Sequence, residues 1–250
     1  MRAPRRMLTQ KKWIRWSNNI GIVLLNSTIL RLVFPAAAVG MAGFAQQQGW
    51  GVFNYLQWPM LFELFIAVIL LDGAIYLQHV MFHAVPLFWR LHRMHHTDLD
   101  FDVTTGARFH PIEILLSMII KFSVVIALGA SPIAVLIFEI LLNGTAMFNH
   151  SNVRLPLHID RILRTVIVTP DMHRVHHSTI YHEANSNFGF NLSIWDRIFG
   201  TYKNQPNAGH YDMSIGVEDL QDSRFQKLHW MLILPFLKLR GGYVLNRKEK

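Results

Sequence analysis

The sequence predicts an all-α integral membrane protein with about four transmembrane helices and a cytoplasmic cap of histidine-rich helices. Three observations support this class: 51% of the 250 residues are hydrophobic, the 16% that are charged crowd into a few stretches, and nine of the fourteen histidines fall into four tight groups. Such segregation of apolar and charged residues is typical of a chain that spans a membrane. We expect a basic cytoplasmic segment, residues 1–18, followed by a single domain, residues 19–250.

Four apolar segments account for the transmembrane helices, because each approaches the ~20 residues that cross a hydrocarbon core of ~30 Å. They are residues 19–45, 59–85, 112–129 and 131–149. Only a short turn separates the last two, which predicts an antiparallel hairpin. A large soluble helical core is the alternative, but the segments are long and the chain has few polar helix faces to cover them.

The distribution of positive charge predicts that both termini and every histidine group face the cytoplasm. The loop 46–58 carries no charge, whereas basic residues precede the first segment, and such residues mark the cytoplasmic side of a transmembrane helix. Those residues are Arg2, Arg5, Arg6, Lys11, Lys12 and Arg15. The net charge of +8 is assigned to contact with anionic lipid rather than nucleic acid. The predicted location is the bacterial inner membrane.

Nine clustered histidines predict a site for two metal ions. Two groups repeat the spacing HxxHH, a third is an i, i+4 pair, and the fourth is a single residue. In order they are His79 and His83; His92, His95 and His96; His150; and His173, His176 and His177. Residues three and four apart share a helix face, so the three imidazoles of each HxxHH triple are expected to point into the same space. Imidazole suits iron, copper, zinc and nickel, and nine ligands exceed the roughly four that one structural zinc ion takes.

Ionisable side chains inside the apolar segments are costly and are therefore candidates for function. Asp72 lies on one helical stripe with Tyr76 and His79, and is expected to accept the ring N–H of a ligand histidine. Lys121 and Glu139 come to similar depth in the predicted hairpin, because each lies about ten residues from the turn. We expect these two side chains to form a structural ion pair.

The loop after the first HxxHH group contains further candidates. Asp98, Asp100 and Asp102 are expected to be solvated, as acidic residues of polar loops usually are. His110 precedes a proline, which suits the first turn of a helix, so it is expected to cap that helix or to support a ligand. Whether His110 or His182 completes the metal site is open at this point.

Several short sequence motifs, taken in their order along the chain, resemble those of a known enzyme superfamily. They are LQHVMFH, HRMHH, the NH at residues 149–150, and HRVHH followed by NFGFNLSIWDRIFGTY. Together they resemble the fatty acid hydroxylase and sterol desaturase superfamily of membrane di-iron enzymes. The stretch HHTDLDFDVTTGARFHPIE looks most like the bacterial sterol desaturase family proteins. The third group departs from the HxxxH of some relatives, because Ala146 stands where the first histidine would be, and Asn149 or a water is left to fill that place.

The resemblance implies an O₂-dependent di-iron oxidoreductase that hydroxylates or desaturates a C–H bond of a lipid at the cytoplasmic membrane face. Its metal ligands would be the nine histidines and its cofactors two iron ions, which zinc can replace in purified protein. Asp72 and Asn149 are the remaining candidate catalytic residues. The chain has no cysteine for an iron–sulfur cluster and no glycine-rich dinucleotide fingerprint. An external electron donor is therefore expected, such as a ferredoxin or a cytochrome with its reductase, and the lipid, a sterol, an acyl chain or a relative of these, stays open.

Two other classes of function are compatible with the histidines. A membrane haem or metal-binding electron-transfer protein would hold its cofactor with histidine pairs from neighbouring spans. A zinc-dependent membrane hydrolase would use the same imidazoles as zinc ligands. The first class predicts single, separated histidines at matched depth, and the second predicts a general base such as that of HExxH. The sequence contains neither pattern.

Overall fold

A computed structural model describes residues 4–238 and Leu245. The described chain is helical and has isolated β-bridges but no strands, which confirms the predicted all-α class. The α-helices are α1 (Lys12–Val33), α2 (Ala37–Gln47), α3 (Val52–Leu56), α4 (Met60–Ala84), α5 (Pro86–His96), α6 (Pro111–Leu128), α7 (Pro132–Asn149), α8 (Leu157–Leu163), α9 (Pro170–His176), α10 (Tyr181–Ala184), α11 (Ile194–Ile198), α12 (Gly209–Asp212) and α13 (Leu228–Ile233). Short 3-10 turns cover Thr105–Ala107, Glu218–Leu220, Ser223–Gln226 and Leu234–Phe236.

Four stretches of the described chain are long and apolar enough to cross a membrane. They are Lys12–Leu56, Met60–Ala84, Pro111–Leu128 and Pro132–Asn149. Helices α4, α6 and α7 coincide with the second, third and fourth predicted segments to within a residue or two at each end. By the length and composition of these helices, the protein is an integral membrane protein.

The first crossing differs from the prediction, because residues 19–45 do not form one helix. Helix α1 begins earlier, at Lys12, and ends at Val33, and α2 begins only at Ala37. Pro35 lies in the break. Proline has no backbone N–H to donate, and it disfavours helical geometry in the residue before it. Ala37 adopts a φ of +51°, so the chain bends there before it continues as α2.

Helices α2, α4, α6 and α7 pack together at the end of the bundle where α6 turns into α7. Gly129 makes that turn with a φ of +67°. Gly51 approaches it so closely that a Cβ on Gly51 would lie 2.1 Å from the Gly129 nitrogen. Glu63, at the start of α4, accepts hydrogen bonds from the backbone N–H and the hydroxyl of Ser131 at 3.0 and 2.9 Å. These contacts fix the hairpin against α4.

The opposite end of the bundle carries the histidine groups. Helix α5 follows α4 after the single residue Val85, so the first two histidine groups stand on consecutive helices. Helix α6 starts at this end, α7 returns to it, and α7 contacts α9, which carries the second HxxHH group. The loop 97–110 and the short helices α8 to α11 complete the cap. This topology brings all four histidine groups to one end of the bundle.

The amino-terminal segment packs against this cap. Arg5 pairs with an aspartate of α9 at 3.0 Å, and the buried Arg15 pairs with Asp98 and Asp102. Asp100 accepts two backbone N–H groups of the amino-terminal segment at 2.8 and 2.9 Å. The expectation that the three loop aspartates are solvated was therefore wrong, because all three are buried. Arg15 pairs with two of them, and backbone N–H groups of the amino-terminal segment donate to the third.

Candidate metal centre

The nine histidines singled out by their spacing are all buried and lie in two groups. Within each group, the nitrogens available to a metal lie within 4.8 Å of one another. The five-histidine cluster consists of His79, His83, His92, His96 and His176, and the four-histidine cluster of His95, His150, His173 and His177. The ring centroids of His95 and His96, one from each cluster, are 5.4 Å apart. The two clusters therefore adjoin.

Each HxxHH triple is divided between the two clusters. The expectation that the three imidazoles of a triple point into the same space was therefore wrong. On α5, His92 and His96 belong to the five-histidine cluster and His95 to the four-histidine cluster. Consecutive residues of a helix are rotated by about 100°. Residues four apart therefore share a face, whereas adjacent residues point in different directions. The triple that begins on α9 is divided in the same way, so both triples serve both clusters.

Ring nitrogens within each cluster converge to the spacing of ligands on a common ion. The Nε2 atoms of His83 and His96 are 3.2 Å apart, and the Nε2 atom of His150 lies 3.2 Å from that of His95 and 3.1 Å from that of His173. Two nitrogens bound to one ion at about 2.1 Å each lie roughly 3.0–3.4 Å apart in octahedral or tetrahedral geometry. The imidazoles are thus arranged as neighbours in a coordination shell.

Several buried ring nitrogens have no hydrogen-bond partner in the protein. They include Nε2 of His176 and both ring nitrogens of His177. Buried polar atoms are nearly always satisfied, so unpaired nitrogens that face a cluster of imidazoles point to a metal ion as their partner. Burial lowers the pKa of His92 to about 3 and that of His150 to about 4. These rings are therefore neutral at pH 7, which is the form that binds a metal.

The second ring nitrogen of several ligand candidates is held by a hydrogen bond. In each case Nδ1 faces an oxygen, which leaves Nε2 free to face the cluster and fixes the ring orientation. The acceptors are the Glu113 carboxylate for His92 at 2.6 Å, and the carbonyl groups of Phe188 for His79 at 2.7 Å, Ser186 for His176 at 2.8 Å and Ala146 for His150 at 2.8 Å. The sequence interpretation did not single out Glu113. Its position in the first turn of α6, directly after the loop from the first HxxHH group, was the available signal.

Asp72 contacts the segment after the second HxxHH group rather than a histidine. Its carboxylate accepts hydrogen bonds from the backbone N–H groups of Asn191 and Leu192 at 3.3 and 3.1 Å and from Nε1 of Trp195 at 2.9 Å. The expected contact with a ligand ring is not among its hydrogen bonds, because His79 lies seven residues along α4, a rise of about 10 Å. Asp72 instead anchors the segment whose Phe188 and Ser186 carbonyls orient two ligand rings.

The other sequence candidates are Asn149, His110 and His182. Asn149 donates to the carbonyl of Phe190 at 3.0 Å, and its buried Oδ1 has no protein partner. His110 caps α6, since its Nδ1 accepts the backbone N–H of Ile112 at 3.2 Å. The capping role predicted for His110 is confirmed. His182, on α10, belongs to neither cluster.

A cavity of about 480 Å³ connects the five-histidine cluster with the membrane-spanning helices. His79, His92 and Phe190 line the end nearest the metal ligands, and α1, α4, α6 and α7 supply the mainly apolar walls. Lys121 and Glu139 also line it. They form the predicted ion pair, with Nζ 2.6 Å from Oε1. The arrangement suits an elongated apolar ligand whose one end meets the histidines.

Comparison with known families agrees with this geometry. The family model described as fatty acid hydroxylase matches residues 64–201, more than half of the chain and all nine clustered histidines. The chain belongs to the fatty acid hydroxylase family. No solved structure matches it.

Individual relatives are lipid-modifying enzymes by name. The chain is 31% identical over 162 residues to ornithine lipid hydroxylase OlsE of Rhizobium tropici, which covers 64% of this chain and 47% of that protein. It is 27% identical over 185 residues to alkylglycerol monooxygenase of Homo sapiens, covering 73% and 40% of the two chains. It is 26% identical over 168 residues to cholesterol 25-hydroxylase of Rattus norvegicus, covering 66% and 54%. The chain thus spans about half the length of these relatives.

Proposed function

We propose that the protein is an O₂-dependent di-iron oxidoreductase that hydroxylates a C–H bond of a membrane lipid. The observation that carries the proposal is the cavity that runs from His79 and His92 into the apolar helices, because a lipid chain held in it would present a C–H bond to the histidine clusters. The names of the relatives, hydroxylases and a monooxygenase, favour hydroxylation over desaturation.

The nine histidines are the proposed metal ligands, five for one ion and four for the other, with Asn149 beside them. Two iron ions held there would supply the activation of dioxygen and the removal of hydrogen from the lipid. The protein contributes neutral imidazoles, the carboxylate and carbonyl groups that orient them, and apolar walls that keep bulk water from the reacting bond. A haem fits poorly, because Nε2 atoms 3.1–3.2 Å apart leave no space for a porphyrin between them.

The reaction needs two electrons from outside the chain. Hydroxylation converts R–H, O₂, two electrons and two protons into R–OH and water, and this cysteine-free chain has no iron–sulfur cluster to store electrons. We place the docking site of a ferredoxin or cytochrome on the cap, where Arg154, Arg161 and Arg197 are exposed. Docking through exposed charges weakens with ionic strength, so turnover with an acidic donor should fall as salt is added.

Isotope labelling tests the reaction class. Iron-loaded protein in liposomes made from host lipid extract, supplied with a ferredoxin, its reductase and ¹⁸O₂, is expected to yield a lipid that carries one ¹⁸O atom. Protein stripped of metal by a chelator is the control and should yield none. An unsaturated product without label would reassign the protein as a desaturase, and product formed under strict anaerobiosis would exclude an oxygenase.

The proposed location is an inner membrane with the metal centre and both termini in the cytoplasm. The absence of native cysteine makes accessibility easy to measure. Single cysteines at Gln47 and Ala208, both at exposed positions, are expected to react with an impermeant thiol reagent from opposite sides of the membrane, with Ala208→Cys on the cytoplasmic side. Three candidate crossings, α4, α6 and α7, lie between Gln47 and Ala208, so labelling of both positions from the same side would contradict the proposed topology.

A further inference from the structure

Lys121 and Glu139 form an ion pair near the middle of two 18-residue apolar helices. Their side chains are 12% and 26% exposed, and Nζ donates to Oε1 at 2.6 Å. Charges at this depth are costly, and pairs of apolar side chains are often at least as stable as a buried ion pair. Stability alone therefore gives little reason for the pair to be there.

The pair faces the cavity that reaches the histidines. Gln78 and Ser117 line the same cavity and are joined by a hydrogen bond from Nε2 to Oγ at 3.0 Å. Oε1 of Gln78 is buried and has no protein partner. An ammonium group has three N–H donors, and the one from Lys121 to Glu139 leaves others for a ligand. The cavity wall thus offers donors and an unpaired acceptor to a bound molecule.

The helices give the distance between the ion pair and the metal ligands. Lys121 lies eight residues beyond Glu113, the partner of His92, which is a rise of about 12 Å along α6. Glu139 lies eleven residues before His150, a rise of about 16 Å along α7. With carbon–carbon bonds of about 1.5 Å in a zigzag chain, this separation corresponds to roughly ten bonds of an extended lipid.

We propose that Lys121 and Glu139 bind a hydroxyl or amide group of the lipid and so select a carbon roughly ten bonds away for oxidation, with Gln78 on the cavity wall between this pair and the histidines. The selection of a carbon for oxidation rests on the proposed function, whereas the binding of a polar group by the ion pair does not. The ion pair is neutral overall, so a charged ligand group would enter the membrane interior without a counter-charge. A pure hydrocarbon would leave the remaining N–H donors of Lys121 unpaired. A neutral group that both donates and accepts can pair with the ammonium group of Lys121 and the carboxylate of Glu139.

Photocrosslinking tests this subsite without requiring turnover. The probes are 1-hexadecanol and hexadecane, each with a diazirine at carbon 11, added to the iron-loaded protein in nanodiscs. In the native protein, the alcohol is expected to label the histidine end of the cavity, at Phe109 and Phe190, at least tenfold more than the hydrocarbon does. In Lys121→Met/Glu139→Leu, which replaces the pair with apolar side chains, labelling by the alcohol should fall about tenfold to the level of the hydrocarbon and should spread along the cavity.

A purely structural ion pair makes a different prediction. The alcohol would then label the native protein no better than hexadecane, or the double variant would keep the native preference, and either result overturns the subsite. Gln78→Met is the matched control, because it removes a polar side chain of the same cavity and leaves the ion pair in place, and it should keep the native preference for the alcohol. Oxidation of 1-hexadecanol is measured separately: normal crosslinking without oxidation would contradict the proposed function and leave the subsite standing.

Discussion

Replacing His176 with alanine is expected to abolish lipid oxidation and to lower the iron content from two ions to about one. His176 belongs to the five-histidine cluster, and its buried Nε2 has no protein partner, so a metal ion is its expected partner. Loss of a group that merely hydrogen-bonds a ligand typically costs about 10–100-fold in metal affinity or activity. Loss of the ligand itself should therefore cost more than about 100-fold. Quantitative metal analysis after anaerobic reconstitution with ferrous iron measures the first effect, and product formation measures the second.

The matched variants separate a metal-ligand role from general damage to the fold. His173→Ala removes a ligand of the four-histidine cluster and should also leave about one ion per chain. His229→Ala removes an exposed imidazole of α13 and should leave two ions and native activity. A native chain that binds at most one ion in excess ferrous iron would contradict the two-ion proposal. Retention of both ions by His176→Ala would remove His176 from the ligand set.

The histidines of the two clusters were predictable because helical spacing alone brings such residues near one another. The spacing did not show how they divide. An HxxHH triple on a single helix looks like one ligand set, whereas His95 and His96 point in different directions and serve different clusters. That division depends on α4, α7 and α9 surrounding α5. It is a property of the packing of distant segments, so it could not be read from one motif.

Buried charges were the least predictable part of the chain. Asp98 and Asp102 lie in a polar loop that resembles a solvated one, and only the docked amino-terminal segment, with Arg15, buries them. Asp72 pairs with backbone donors about 120 residues away. In both cases the partner is distant in sequence and belongs to an irregular segment. Periodicity carries no information about such contacts, although it correctly placed Lys121 opposite Glu139 across a short turn.

The break between α1 and α2 has a simpler origin. A hydropathy window averages over Pro35, because a single proline hardly changes the apolar character of residues 19–45. Its backbone effect is large, since it removes a hydrogen-bond donor and restricts the preceding residue. Reading the proline as a helix end would have predicted the observed boundary at Val33. The described chain has as many candidate membrane-spanning stretches as predicted, because both helices lie in the same apolar stretch.

Replacing Glu113 with leucine is expected to accelerate iron release about 10–100-fold, although Glu113 is not itself a predicted ligand. Its Oε1 accepts the Nδ1–H of His92 at 2.6 Å, and this bond keeps the ring turned so that Nε2 faces the five-histidine cluster. Groups that hold a ligand ring in this way contribute about that factor to metal affinity. Leucine keeps much of the side-chain volume but accepts no hydrogen bond, so the His92 ring is no longer held in place. His92 also loses the neighbouring carboxylate, which makes its Nε2 a stronger metal ligand.

The rate of iron transfer to a chelator in the absence of substrate measures this effect apart from turnover. Glu113→Gln should fall between the leucine variant and the native protein, because the amide oxygen still accepts Nδ1–H but carries no full charge. Asp212→Asn removes an exposed carboxylate from α12 and is the control for the loss of one negative charge. Release at the native rate from Glu113→Leu would show that His92 is held by its helix alone. The Glu113 carboxylate would then be a wall of the cavity rather than a support of the metal centre.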